Sequence, residues 1–465
     1  MDPVARLVLV DPVAQAGLAA VAVAAAEVSL KMKFILHCRD GANERRFIYD
    51  NETSSLTREN GERATRKWKC EHEPMPAPPR TSKNEPNGKS AQVRVLKIQL
   101  GLSCNYSCEY CSQRFVPHGE NGVPSDVDKF VRNLDLWMDS IPTQIEFWGG
   151  EPFTYWKTLK PLAEVLREKF PKTTFLVITN GSLLTTEIND WLVKLDFNVG
   201  ISHDGPGQFV RGPDPFEDAE QRKHILDLAS RLMPKRKMSF NSMVNRNNLD
   251  RAAIQEFFRS LLGHGNFSIG EGSFIDPYDE GGEANSLRSH EEALAFRNLT
   301  LKQIRGLKAE KFIVVGQRMR EWSNSIKLER KAETLGQKCG MDRPDTIAVD
   351  LKGNVLTCQN TSTSARAPNG ESHHIGHVSR LDAVKLKTAT HWAHRDDCAS
   401  CPVLQMCKGS CMFLEGPLWD KACNNAYNDH IPFFAAAIER LTGYLPYQIE
   451  SANLPAERSM LWSAA

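Results

Sequence analysis

Ten of the twelve cysteines in this 465-residue sequence fall in two groups whose spacing suits metal ligation. Cys104, Cys108 and Cys111 form a C-x3-C-x2-C run directly after a strand-like segment. That spacing can serve zinc, but structural zinc usually takes four protein ligands, and no fourth partner lies nearby. A cubane [4Fe–4S] cluster with one unliganded iron suits three thiolates, and the open iron can bind a substrate. The second group runs Cys339, Cys358, Cys398, Cys401, Cys407, Cys411 and Cys423; its C-x2-C pair is shared by zinc and iron–sulfur chemistry. Disulfide frameworks belong to short secreted chains, which this is not. Cys38 and Cys70 have no partner at ligand spacing and read as ordinary thiols.

The sequence Gly149-Gly150-Glu151-Pro152 closes the next strand candidate. Glycines let the backbone approach a ligand, and an acidic side chain can orient an ammonium group. The bland reading is a Gly-Gly turn. Thr179-Asn180-Gly181 and Ser202-His203-Asp204-Gly205-Pro206 end two further strands; Asn180 and Asp204 read equally well as turn residues beside glycine. Arg211 is a candidate carboxylate partner among many surface arginines.

With Tyr110 before the third cysteine and the GGEP string after the second strand, the sequence resembles the radical S-adenosylmethionine (SAM) superfamily. The resemblance implies a partial (β/α)6 barrel, a cluster on Cys104, Cys108 and Cys111, and SAM chelated at its open iron. Reduction would cleave SAM to a 5′-deoxyadenosyl radical. Tyr110, Gly149, Gly150, Glu151, Asn180, Ser202, Asp204 and Arg211 are the residues it assigns to SAM. The later cysteines resemble the SPASM domain. That implies one auxiliary [4Fe–4S] cluster on Cys398, Cys401, Cys407 and Cys423, and another on Cys339, Cys358 and Cys411, whose fourth ligand is open. Three clusters and SAM are thus the expected cofactors.

The scaffold for these motifs is legible from periodicity. Val93–Leu102 alternates as a strand, with Leu96, Ile98, Leu100 and Leu102 on one face. Ser125 can cap a helix with a stripe of Val127, Phe130, Leu134, Trp137 and Ile141. Further strands are predicted at Gln144–Trp148, Thr174–Thr179, Asn198–Ser202, Lys237–Val244 and Phe267–Ile275, with helices around Leu159–Phe170, Thr186–Leu195, Ala219–Leu232 and Asp250–Leu262. Strands joined by helical crossovers form a parallel α/β sheet. Ligands sit at the carboxyl ends of such strands, and the motifs fall there. Periodicity does not say whether the sheet curls.

The expected organisation is an adventitious or unstructured extension over 1–31, a short hairpin region over 32–70 and a polar, Pro-rich linker over 71–92. The barrel follows at 93–305, a helical bridge at 306–338, the small SPASM domain at 339–425, and a C-terminal helix and tail at 426–465. The Ala/Val-rich stretch Gly17–Val28 lies in an apolar run that Pro12 interrupts and Glu27 closes; with Asp2 and Asp11 early in place of a basic start, and only weakly apolar, it reads as neither export signal nor membrane span. Met32 is an alternative start to Met1. Lys plus Arg number 58 and Asp plus Glu 57, which gives no global attraction to nucleic acid or an anionic membrane. The expected compartment is the cytoplasm. The run Lys235-Arg236-Lys237 reads as solvated, and His373, His374 and His377 as a polar loop.

SPASM proteins mostly modify peptides, so the resemblance favours cross-linking or oxidation of a ribosomal precursor peptide, with a flavodoxin- or ferredoxin-type electron donor. Sulfatase-maturing members place an aspartate base after the cysteine matching Cys358; this chain has Gln359 and then Asn360, and an amide cannot be that base. A small-molecule radical dehydrogenase is the alternative. The hairpin region is too short for an independent leader-binding module of about eighty residues, which leaves that task to a separate protein, to the short hairpin or to none. The catalytic acid or base is unassigned; Glu271, Asp276 and Asp279 are candidates by location.

Overall fold

A computed structural model describes residues 32–67, 80–265, 267, 269–306, 313–387 and 390–463. The expected extension 1–31, Cys70 and residues 71–79 of the expected linker lie outside the described residues. The chain opens with β1 (Lys33–Asp40), β2 (Asn43–Asp50) and β3 (Ser55–Arg58), followed by the two-residue β4 (Asn87–Gly88). A regular alternation then begins: β5 (Val95–Gln99), α1 (Pro124–Trp137), β6 (Gln144–Trp148), α2 (Trp156–Lys169), β7 (Thr174–Thr179), α3 (Thr186–Lys194), β8 (Phe197–Ser202), α4 (Ala219–Leu232), β9 (Met238–Val244), α5 (Arg251–Leu262) and β10 (Ile269–Phe274). Strands β5 to β10 pair in chain order and all parallel. The expected partial (β/α)6 TIM-like barrel is therefore present.

Alternation explains why these segments are strands with two buried faces. Leu96, Ile98, Ile145, Phe147, Phe175, Val177, Phe197 and Val199 point toward the helices and join one apolar core. The other face carries polar side chains, among them Lys97, Gln99 and Glu146, all buried. Helix α1 starts at Pro124, not at a Ser125 cap: Val123 N donates to Asp126 Oδ2 at 3.0 Å and proline opens the first turn, where its missing N–H costs nothing. Val127, Phe130, Leu134 and Trp137 form its buried stripe as expected, whereas Ile141 is 73% exposed, because the helix has ended before it.

The sheet continues past β5. Strand β11 (Thr346–Asp350) pairs parallel with β5, then β12 (Asn354–Leu356) and β13 (His374–His377) add antiparallel. Cys358 thereby follows a strand of the same nine-stranded sheet whose β5 leads into the first cysteine loop. Residues 80–92 do not behave as a linker. Strand β4 pairs with β14 (Lys385–Leu386), Thr81 is buried and donates to the Leu386 carbonyl at 2.8 Å, and Lys89 is also buried.

Helices α6 (His290–Gly306), α7 (Ile313–Leu328) and α8 (Gly416–Thr442) lead to β15 (Leu445–Glu450). Strand β15 completes a four-stranded sheet in the order β15-β1-β2-β3, which packs Phe34, Leu36, Phe47 and Tyr49 against Trp322 of α7 and Phe434 of α8. Helix α8 carries a fully buried carboxylate, Asp429, which accepts from Phe274 N of β10 at 3.1 Å and from Arg318 Nη1 of α7 at 3.0 Å, and pairs with Arg251 Nη2 of α5. Among the described residues no helix is long and apolar enough to cross a membrane.

Candidate cluster and SAM site

The first cysteine loop and the GGEP turn are locked together by backbone. Gly150 N donates to Gly101 O at 3.1 Å, and Glu151 N to Ser103 O at 3.0 Å. A Cβ at Gly150 would collide with the Leu102 and Ser103 carbonyls, so only glycine permits this approach. Cys104, Cys108 and Cys111 line one cavity of about 300 Å³ together with Gly149, Gly150, Glu151, Asn180, Ser202 and Arg211. These residues come from the ends of four strands and the loops that follow them, as the sheet topology requires. Backbone N–H groups already point at sulfur: Tyr106 N donates to Cys104 Sγ and Gln113 N to Cys111 Sγ, each at 3.4 Å.

Glu151 is buried, with three protein donors. Thr179 Oγ1 donates to Oε1 at 2.7 Å, Phe153 N to Oε1 at 3.1 Å and Asn180 N to Oε2 at 2.8 Å. Burial raises its carboxyl pKa, against the pull of these hydrogen bonds. Glu151 thus fixes the end of β7 against the GGEP turn. Replacing it with Gln turns three charge-assisted bonds into weaker or mismatched ones, a loss of about 1.5–3 kcal/mol. Equilibrium binding of SAM to reconstituted protein is expected to weaken by about 10- to 100-fold in Glu151→Gln; unchanged affinity would contradict this placement.

Two residues expected beside SAM are not on the cavity wall. Asp204 is fully buried and accepts from Met243 N at 2.9 Å and from the Tyr110 hydroxyl. Tyr110 in turn accepts from Arg211 Nη1 at 2.9 Å. The tyrosine before the third cysteine therefore anchors the loop to the end of β8, and Arg211 alone of this triad reaches the cavity. Trp148, Thr179, Gln113 and Asn360 also line it. Thr179 opens the Thr179-Asn180-Gly181 string, whereas nothing in the local sequence marked Gln113, Asn360 or Trp148, although Trp148 follows Glu146 on the strand face opposite the core.

The later cysteines gather in two places. Cys398, Cys401, Cys407 and Cys423 line one small cavity walled by Trp419 and Tyr427, and Arg458 Nη2 donates to Cys423 Sγ at 3.4 Å. Cys358 and Cys411 face another cavity, of about 320 Å³, which also touches Cys111, Ser112 and Asn360 of the first. Asn360 N donates to Cys358 Sγ at 3.4 Å, and the Tyr278 hydroxyl is hydrogen-bonded to Cys411. Burial pushes the Cys358 and Cys411 thiols up to about 12, so a cation must supply the drive to ionise them. Among the described residues no three His, Cys, Asp or Glu side chains converge on a single-ion site; the thiols are spread around cavities. Grouped thiols and N–H donors aimed at sulfur fit iron–sulfur clusters at these positions.

Cys339 sits in a loop that the supposed linker holds. Lys89 Nζ donates to the carbonyls of Met341, Arg343 and Thr346 at 2.8, 3.0 and 2.9 Å. Lys89→Met leaves three carbonyls without this donor, and iron content after reconstitution is expected to fall relative to wild type. Full iron loading in that variant would show that the loop holds its shape without the lysine.

Of the acid–base candidates, Asp279 lines the second cavity while capping Gly282 N at 2.9 Å. Asp276 accepts from Ser410 Oγ instead, and the Glu271 side chain lies outside the described residues. His373, read as a polar-loop residue, is buried on the second cavity with Nδ1 2.5 Å from Thr357 Oγ1; burial lowers its pKa to about 4.

The profile of the radical SAM superfamily matches residues 98–261, the strands and loops that form the first cavity. Residues 98–261 thus carry the radical SAM domain. Its radical SAM segment is 24% identical over 180 residues to the radical SAM cyclopropyl synthase TigE of Paramaledivibacter caminithermalis, covering 34% of this chain and 37% of TigE. It is 26% identical over 181 residues to the peptide biosynthesis protein YydG of Bacillus subtilis, covering 37% of this chain and 52% of YydG. The chain thus spans about a third to a half of the length of these curated relatives. In fold it is similar to anSMEcpe with bound AdoMet, with a TM-score of 0.55 at 18% identity over 76% of this chain and 98% of that one. The same protein with bound AdoMet and the Cp18Cys peptide gives 0.50 at 17% identity, over 74% and 99%. For a radical SAM protein, SAM and a [4Fe–4S] cluster are the cofactors the family implies.

Proposed function

We propose that this radical SAM protein is an enzyme that binds SAM at a [4Fe–4S] cluster held by Cys104, Cys108 and Cys111 and acts on a peptide or protein substrate, cross-linking or oxidising it. When bound, cluster and SAM supply a radical able to take hydrogen from unactivated carbon, and the protein positions the reactants. The observation that carries the reading is the joined pair of cavities. The first collects the three thiols, the Gly149–Glu151 turn, Asn180, Ser202 and Arg211. The second opens from it at Cys111, Ser112 and Asn360 and ends at Cys358 and Cys411.

Each wall has a task in this reading. Gly149, Gly150 and the end of β7 receive the amino-acid portion of SAM, and Arg211 faces its carboxylate. Phe115, Val116, Pro117, Phe413, Leu414 and Leu418 give the second cavity apolar surface for a substrate side chain, which keeps water from the reacting carbon. Cys339, Cys358 and Cys411 hold one auxiliary cluster at its far end, and Cys398, Cys401, Cys407 and Cys423 hold a second. A peptide is favoured because YydG is named for peptide biosynthesis and anSMEcpe was solved with a peptide.

Formylglycine formation is disfavoured. The Gln359 carbonyl accepts from Gln99 Nε2 at 2.9 Å, and Asn360, which reaches both cavities, is an amide hydrogen-bonded to Gln113 Nε2 at 3.1 Å. Neither can accept a proton as a carboxylate does. Anaerobically reduced enzyme with SAM and a candidate precursor peptide is expected to change the peptide's mass by one or more pairs of hydrogens. Rapid turnover of a small alcohol without peptide would instead establish the dehydrogenase alternative.

A further inference from the structure

The concave face of the barrel holds a buried ion pair that neither ligates nor lines the cavities described above. Lys97 of β5 and Glu146 of β6 stand opposite each other in register, with Nζ 3.2 Å from Oε2 and side chains only 10% and 8% exposed. Glu146 also accepts from Trp148 Nε1 and Gln144 Nε2, each at 2.7 Å. Lys97 Nζ lies 5.6 Å from the centre of the Trp148 ring.

The pair bridges the two cysteine regions. On one side Trp148 forms part of the wall of the first cavity. On the other, Lys97 pairs in register with Ala348 of β11, the strand that leads from Cys339 toward Cys358. Two residues along the same face, Gln99 Nε2 donates to the carbonyl of Gln359, the neighbour of Cys358. Lys97 and Gln99 share one face of β5, so the Lys97 ammonium stands on the side of the sheet where Gln99 meets the neighbour of Cys358, with Glu146 one strand further away.

Stability does not explain such a pair. Two charges taken out of water cost several kcal/mol each, and packed apolar residues of similar volume are often as stable. Their electrostatic field remains as a use. Reduction adds negative charge to a cluster, so a fixed cation nearby in a poorly screened interior favours the reduced form, and a fixed anion opposes it.

We propose that Lys97 and Glu146 set the reduction potential of the auxiliary cluster at Cys339, Cys358 and Cys411, Lys97 raising it and Glu146 moderating the rise. The proposal rests on the reading that those cysteines hold a cluster. Both residues act as positioning groups through charge, touching neither substrate nor SAM.

Opposite signs make the test specific. Full-length protein is reconstituted anaerobically as wild type, Lys97→Gln, Glu146→Gln, the double variant and Lys97→Arg, and each is titrated against redox mediators with electron paramagnetic resonance detection. Lys97→Gln is expected to shift the auxiliary-cluster midpoint to more negative potential, and Glu146→Gln to more positive potential. The double variant returns close to wild type, and Lys97→Arg, which keeps the charge, stays there. A merely structural role gives single variants that shift in the same direction or not at all, which overturns the proposal. Should Lys97→Gln not fold, Glu146→Gln and Lys97→Arg still decide it: no positive shift in the first, or a clear shift to more negative potential in the second, defeats it. Separately, a Cys339→Ala, Cys358→Ala, Cys411→Ala variant that keeps every iron–sulfur signal would overturn the cluster assignment underneath.

Discussion

Changing Cys104, Cys108 and Cys111 together to alanine abolishes reductive SAM cleavage and lowers the iron bound after reconstitution by about four per chain, the content of one cubane. The loss of rate reaches the uncatalysed background, about 10⁶-fold or more, because no other described residue offers thiolates to that cavity. The variant keeps its fold. Cys104 is exposed and the other two half-buried, and the loop is held by Gly101, Ser103 and Tyr110 backbone and side-chain bonds that the substitutions leave in place. Cys38→Ala is the control: that thiol lies in the apolar core of the four-stranded sheet, so iron and SAM cleavage stay at wild-type levels. Iron assay and chromatography of the nucleoside product read both effects. Retained iron with lost cleavage would place the cluster elsewhere.

The largest effect on stability belongs to Asp429. Burial alone would raise its carboxyl, but the guanidiniums of Arg318 and Arg251 outweigh burial and hold it well below the usual carboxylate range. Asp429→Ala leaves two cations and the Phe274 N–H facing a void, and loss of one member of a buried pair costs about 3–5 kcal/mol. Helix α8 meets β10, α5 and α7 at this point, so the cost falls on the attachment of the C-terminal helix to the barrel. Chemical denaturation followed by circular dichroism should show the midpoint lowered accordingly. The sign with pH is fixed by the lowered pKa: the contribution is complete above the unfolded value of about 3.9 and disappears only as pH falls through the much lower folded value. A variant within about 0.5 kcal/mol of wild type would mean that the arginines find other partners.

Much of the barrel was legible because its information is local. Phe175 and Val177, or Phe197 and Val199, alternate with residues of the other face, and Gly149, Asn180 and Asn245 directly follow β6, β7 and β9. Cysteine spacing is equally local, and the first three thiols share a cavity as their spacing implied. What the sequence hid depends on partners far along the chain. Lys97 reads as a polar break in an apolar strand until Glu146 stands opposite it. Residues 80–92 have the composition of a linker, yet Lys89 finds three carbonyls beyond residue 340, and β4 finds β14. Strand β1 looks like half of a hairpin until β15, more than four hundred residues later, pairs with its other edge. Tyr110 and Asp204 carried the right motif, but their contact with each other turned them inward, away from the cavity. The helix start at Pro124 shows a local signal overruled by a stronger neighbour, since proline and Asp126 satisfy the first turn without Ser125.

The central claim is tested most directly by incubating anaerobically reconstituted, chemically reduced protein with SAM and measuring 5′-deoxyadenosine and methionine. Formation of both in equal amounts, dependent on the reductant and absent in the triple Cys104, Cys108 and Cys111 variant, is the predicted result. Fully iron-loaded, reduced protein that leaves SAM intact would contradict it.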